Sequence, residues 1–254
     1  MEICEVKNVR IGEGLPKVCV PITSATHYDI IDRFNKLNNK DIDLIEFRID
    51  YFEELNNQNS IDNLFKTIKS LNIVKPIIFT CRTLKEGGKA DIEKPAYKDL
   101  YLKAIESKAF DIFDIELNLG ANMLIDLEEA CHSNDMKILI SFHDFDMTNQ
   151  RDSIIQKFDQ MESYKADIYK IAMMPENIND VLSVLEISDY ASKEYKKPIV
   201  AISMSKIGIA TRLLGETIGS AITFGCDGDC SAPGQIDYKD LKTVLNIVHK
   251  AIKD

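Results

Sequence analysis

Eight short apolar, β-branched runs alternate along this chain with longer segments whose apolar residues recur every three or four positions. The runs lie at 17–22 (KVCVPI), 43–48 (DLIEFR), 76–82 (PIIFTCR) and 111–117 (DIFDIEL). They continue at 137–143 (KILISFH), 167–172 (DIYKIA), 198–204 (PIVAISM) and 221–225 (AITFG). Helical period fills segments such as 60–71, 97–108, 122–133 and 177–196, with a last helix near 238–252. Strand starts recur at intervals of about 25–35 residues, the size of one strand-plus-helix unit. The count predicts an α/β fold, a (β/α)8 TIM barrel. Residues 1–11 are left over, alternate weakly, and suit a short N-terminal β-hairpin closing the barrel floor. A doubly wound open sheet is the rival. It advertises a glycine-rich turn after its first strand, and PITSAT offers no glycine there. No Pro/Gly/Ser-rich linker divides the chain, so one barrel domain over 1–254 is expected.

Charge narrows the partners. With 31 Lys+Arg against 41 Asp+Glu the formal charge is −10, which argues against nucleic acid or an anionic membrane as partner. The first ten residues, MEICEVKNVR, do not read as a signal peptide, and no run reaches membrane-spanning length. Six cysteines, at 4, 19, 81, 131, 226 and 230, sit mostly in apolar runs and fit reduced thiols in a cytoplasmic protein. Cys226 and Cys230 flank two aspartates (CDGDC); a solvated loop is expected there rather than a metal site.

In a (β/α)8 barrel the loops at the strand ends converge on one mouth, so chemistry is sought there. Strand two ends in Glu46 and Arg48, strand three in Arg82, strand four in Asp114 and Glu116. Strand five ends in Ser141 and His143, and strand six carries Lys170. Apolar runs that end repeatedly in charge need those groups to meet each other or a ligand. The chain has six arginines among its 31 basic residues, and Arg48, Arg82 and Arg212 fall at strand ends or at the opening of the helix after strand seven. A guanidinium fork suits a carboxylate, in a ligand or in a neighbouring Glu46 or Glu116.

Lys170 stands in a strand with no other cation. Burial disfavours its ammonium form, nearby Arg48 or Arg82 act in the same direction, and a neutral amine attacks carbonyls. A lysine snorkelling to the rim is the plainer alternative. His143 ends the strand next to that of Lys170, where an imidazole can remove and return a proton. Glu86, in the LKEGGKAD loop, is placed to orient such a histidine. The polar, glycine-rich segment 225–236 (GCDGDCSAPGQI) contains Ser231 and Gln235 and reads as a lid or an ordinary mobile loop.

With these residues assembled, the chain resembles the type I 3-dehydroquinate dehydratases of the shikimate pathway. The matching pieces are EFRID (46–50), FTCRTLKEGG (79–88), SFHDF (141–145) and YKIAMMP (169–175). SMSKIG (203–208), TRLLGE (211–216), GSAITFG (219–225) and SAPGQI (231–236) complete them in order. The resemblance implies a cytoplasmic homodimeric lyase that dehydrates 3-dehydroquinate through a lysine imine, without metal or added cofactor. It implies that Lys170 forms the imine, His143 moves the protons and Glu86 holds His143. It assigns Glu46, Arg48, Arg82, Arg212, Ser231 and Gln235 to substrate, with Arg212 on the carboxylate. Two departures stand out: Pro21, where some relatives have a serine, a contact either lost or moved to Thr23, and the acidic CDGDC, expected to repel an anionic ligand. A class I aldolase is the rival enzyme, though no glycine-rich phosphate cradle follows strands seven and eight. A non-catalytic carboxylate-binding barrel is the rival of another class.

Overall fold

The computed structural model describes residues 2–228 and 230–253. An antiparallel hairpin, β1 (Cys4–Val6) and β2 (Val9–Ile11), comes first. The alternation follows: β3 (Lys17–Ile22), α1 (His27–Asn38), β4 (Leu44–Arg48), α2 (Gln58–Ser70), β5 (Ile77–Thr80) and α3 (Lys94–Ser107). Next come β6 (Ile112–Glu116), α4 (Ala121–His132), β7 (Lys137–Asp144), α5 (Arg151–Ser163), β8 (Ile168–Met173) and α6 (Ile178–Glu194). The chain finishes with β9 (Ile199–Ser203), two short helices α7 (Ile209–Leu213) and α8 (Gly215–Ile218), β10 (Ile222–Phe224) and α9 (Tyr238–Lys253).

Strands β3 to β10 pair in parallel in the order β10-β3-β4-β5-β6-β7-β8-β9. The ring is drawn together at its seam by Ala221 N–H donating to the Ile199 carbonyl at 2.7 Å. This is the (β/α)8 barrel expected from the alternating periods. The strands are shorter than the apolar runs by a residue or two at several ends: Arg82 lies beyond β5, not within it. The helix after β9 is also broken into α7 and α8, so Arg212 sits in the last turn of α7 instead of opening a long helix. Gly215 marks the break; a Cβ there would lie 2.6 Å from the Pro16 side chain.

Period two along each strand builds the interior in layers. The lowest is apolar, one residue from each strand: Cys19, Leu44, Ile78, Ile112, Leu139, Ile168, Val200 and Ile222. Cys4, Val6 and Ile11 of the hairpin pack on this layer, so the hairpin does close the floor. Two residues further along, the same faces carry Glu46, Thr80, Asp114, Ser141 and Lys170, beside Ile202 and Phe224. A second core, rich in phenylalanine (Phe34, Phe47, Phe79, Phe110), fills the space between strands and helices. The floor and that outer core hold the barrel closed, and the polar layer is free to do something else.

Candidate active site

The polar layer and the strand ends above it form one cavity, lined among others by Glu46, Arg48, Arg82, Glu86, His143, Lys170, Arg212, Ser231 and Gln235. All nine residues singled out in the sequence therefore meet. The cavity also has apolar walls that the sequence did not reveal: Phe145, Ala172, Ile202, Met204 and Phe224. In the chain they look like ordinary core; the inward register of β8, β9 and β10 distinguishes Ala172, Ile202 and Phe224, while Phe145 and Met204 directly follow β7 and β9. Pro21 pairs with Glu46 in the ladder, and neither it nor Thr23 lines the cavity.

Lys170 Nζ donates to Asp114 Oδ2 at 3.1 Å, lies 3.9 Å from Glu46 Oε1, and stands 4.6 Å from the centre of the Phe224 ring. The sequence reading set burial and the arginines around this amine; the structure adds two carboxylates, Asp114 and Glu46. The cations invoked to neutralise it are themselves occupied. Arg82 donates to Asp114 (2.7 Å), Glu116 (3.2 Å) and the Ser141 hydroxyl (2.9 Å). Arg48 forks onto Asp50 with two bonds of 2.8 Å. Asp114 is wholly buried, yet Arg82, Lys170 and the Ser141 hydroxyl overcome that burial and pull its carboxyl down to about 2. Asp114 and Glu116 were visible as charged strand ends. Glu116 is one of the arginine partners the sequence offered; the pairing of Arg82 with Asp114 was not foreseen, because the two come from different strands.

His143 lies beside this network with its side chain 9% exposed. Glu86 Oε2 sits 3.0 Å from Nδ1 and also accepts the His143 backbone N–H at 3.1 Å, while Oε1 accepts the Asn118 amide at 3.1 Å. With Nδ1 engaged, Nε2 is the nitrogen free for proton transfer. Burial, then the charges of Arg82, Lys170 and Arg48, push the imidazole well below its usual value, so it stays a neutral base. Burial and the neighbouring Glu116 raise Glu86 to about 8 against the pull of Arg82. Glu86 occupies a 3-10 turn, and Gly88 lets that turn fold back: a Cβ there would lie 2.0 Å from the Arg82 carbonyl oxygen.

Arg212 differs from the other cations. It is 2% exposed, and among the described residues its terminal nitrogens meet only the carbonyls of Phe224 (3.4 Å) and Pro233 (3.1 Å) and its Nε has no partner. Among the described residues no carboxylate forms a salt bridge with it, and burial alone lowers it to about 10.

Above Arg212 runs the segment from β10 to α9. Ser231 N–H donates to Gln235 Oε1 at 2.8 Å, and Gln235 Nε2 donates to Ser231 Oγ at 3.1 Å. Gly234 (φ +79°) seats this turn against Ser205, whose carbonyl oxygen would be 2.2 Å from an added Cβ. Two expectations for the segment are corrected. Asp227 does not present free negative charge to a ligand, because it pairs with Arg33 at 2.6 Å and with Lys40. Asp229, the other acid of CDGDC, lies outside the described residues. Nor are all six cysteines reduced. Cys226 and Cys230 form a disulfide, the turn at Gly228 (φ +86°) bringing their Cα atoms to 5.0 Å, while the other four are free and buried.

A parallel (β/α)8 barrel with a buried lysine, a carboxylate-held histidine and an unpaired arginine at its mouth defines a barrel enzyme for a small anionic carbonyl compound. Residues 18–252 match the family described as type I 3-dehydroquinase. The chain is 39% identical over 249 residues to the 3-dehydroquinate dehydratase of Clostridioides difficile (strain 630), covering 98% of each. It is 40% identical to that of Clostridium botulinum (strain Eklund 17B / Type B), covering 98% of this chain and 99% of that one. A crystal structure of the type I enzyme from Clostridium difficile, with covalently modified comenic acid, superposes with a TM-score of 0.94 at 38% identity, covering 98% of both chains. The chain belongs to the type I 3-dehydroquinase family.

Proposed function

We propose that this site converts 3-dehydroquinate to 3-dehydroshikimate by syn elimination of water through an imine on Lys170, within the shikimate route to chorismate and the aromatic amino acids. The observation that carries the reading is Arg212: a buried cation with no carboxylate among the described residues, opening on the same cavity as an amine and an imidazole. A carboxylate ligand resolves that imbalance. In this reading Ser231 and Gln235 close over the ring, and Glu46, Arg48 and Arg82, which line the same cavity, take its hydroxyls.

In this scheme the Lys170 amine adds to the ketone carbon, the carbonyl oxygen leaves as water, and a protonated imine remains. The imine draws electrons from the adjacent carbon, and His143 removes the C2 proton into that sink. The C1–O bond then breaks, with the imidazolium returning its proton to the departing hydroxyl. One base serving both steps requires proton and hydroxyl to leave from the same face. Water releases the product and the amine. Glu86 keeps His143 aimed throughout. The same reading makes the chain one barrel domain acting as a cytoplasmic homodimer.

Mixing the protein with 3-dehydroquinate and following ultraviolet absorbance tests the activity directly. A conjugated enone signal is the expected result. No signal, together with cleavage of a sugar phosphate, contradicts it in favour of a class I aldolase.

A further inference from the structure

We infer that Asp114 is a catalytic residue of this site, the fixed counter-ion of the positive charge that forms on the Lys170 nitrogen when it becomes the protonated imine. The inference rests on the imine reading above and adds to it a group outside the lysine–histidine–glutamate set. Asp114 Oδ2 lies 3.1 Å from Nζ, nearer than any other carboxylate, with the side chain fully enclosed. Its geometry is over-determined: Arg82 fixes Oδ2 at 2.7 Å, the Ser141 hydroxyl donates to Oδ1 at 2.5 Å, and Tyr101 of α3 bonds the Asp114 backbone carbonyl. Such a carboxylate neither rotates away nor takes up a proton when substrate arrives.

The other groups facing the nitrogen place the effect. From β4, Glu46 is 3.9 Å away and occupied by Thr80 at 3.0 Å. From beyond β5 comes Arg82, a cation, and from β7 comes His143, a base disfavoured as a cation. From β10 comes the uncharged Phe224 ring, and Cys19 of β3 lies buried beneath. Arg48 is neutralised by Asp50 and Glu116 by Arg82. Asp114 is therefore the principal anion acting on the nitrogen. Condensation joins that nitrogen to the ketone carbon and expels the oxygen as water, leaving one N–H on a positively charged imine. A carboxylate beside this N–H keeps the imine protonated, and a protonated imine is the better electron sink.

Removing the anion destabilises the protonated imine, so the imine surrenders its proton at lower pH. Borohydride trapping of the 3-dehydroquinate adduct, quantified by intact mass across a pH series, reads this out. For Asp114→Asn the trapping profile is expected to move to the acid side by roughly 1–3 pH units, the usual effect of one close opposite charge. Asp114→Glu keeps the charge Arg82 needs but displaces it from Nζ, and its profile is expected to move the same way by less. It also carries the test should the Asn variant not fold. A profile that stays at the wild-type pH in both variants, whatever the loss of rate, overturns the role. Absence of any Lys170 adduct in the wild type instead overturns the imine reading itself, so the two failures are distinct.

Discussion

The floor and the roof of the cavity treat charge in opposite ways. On the floor, Lys170, Asp114, Arg82, Ser141 and Glu116 satisfy one another at 2.5–3.2 Å, with side chains no more than 6% exposed where they form salt bridges. In the roof, Arg212 is as deeply buried and, among the described residues, has only two backbone carbonyls for company. A compensated network positions reacting groups before substrate arrives. An uncompensated cation waits for its charge to be matched, and so reports what binds. The floor thus governs the chemical step, and the roof governs capture.

The largest effect is expected on the floor side. His143→Ala is expected to lower turnover by about 10²–10⁴-fold while still allowing slow adduct formation on Lys170, as read by stopped-flow and intact mass. In the wild type the imidazole is held below 6.5 by burial and neighbouring cations, so it remains a base as pH falls through that value. The acid limb of the rate profile is accordingly expected below pH 6.5, and a limb centred above it would assign the base elsewhere.

The two arginines sharpen the contrast next. Arg82→Ala strips Asp114, Glu116 and Glu86 of their common cation and is expected to lower stability by about 3–5 kcal/mol, measured by denaturant unfolding. Arg212→Ala removes a charge with no ion-pair partner among the described residues and is expected to leave stability level or raised. Its effect appears in KM, which should rise roughly 30-fold or more, since losing one side of a desolvated charge contact weakens binding by about 2 kcal/mol or more. Equal loss of stability in both variants would erase the distinction. The smallest effect belongs to the lid: Cys230→Ser opens the Cys226–Cys230 link without touching the cavity and should raise KM by about a few-fold, with kcat unchanged.

Much of this was legible in the chain because barrels write themselves in local periods. Alternation located every strand, and the rule that strand ends meet at one mouth brought together residues as far apart as Glu46 and Gln235. What stayed hidden was set by contacts across the barrel. Nothing local to β6 says that Asp114 faces Lys170, since their pairing depends on where β7 places Ser141 between them. Asn118 looks like a turn residue until its amide is seen on Glu86. The acidic CDGDC looks repulsive until Arg33 and Lys40 of the first helical unit are found on Asp227. Helix boundaries failed where packing overrode periodicity, as at Gly215 against Pro16.

Peptide mapping of protein reduced with borohydride in the presence of 3-dehydroquinate tests the central claim most directly. The account predicts a single modified peptide carrying the added ring on Lys170. Modification of another lysine, or an unmodified chain that nonetheless makes 3-dehydroshikimate, would contradict it.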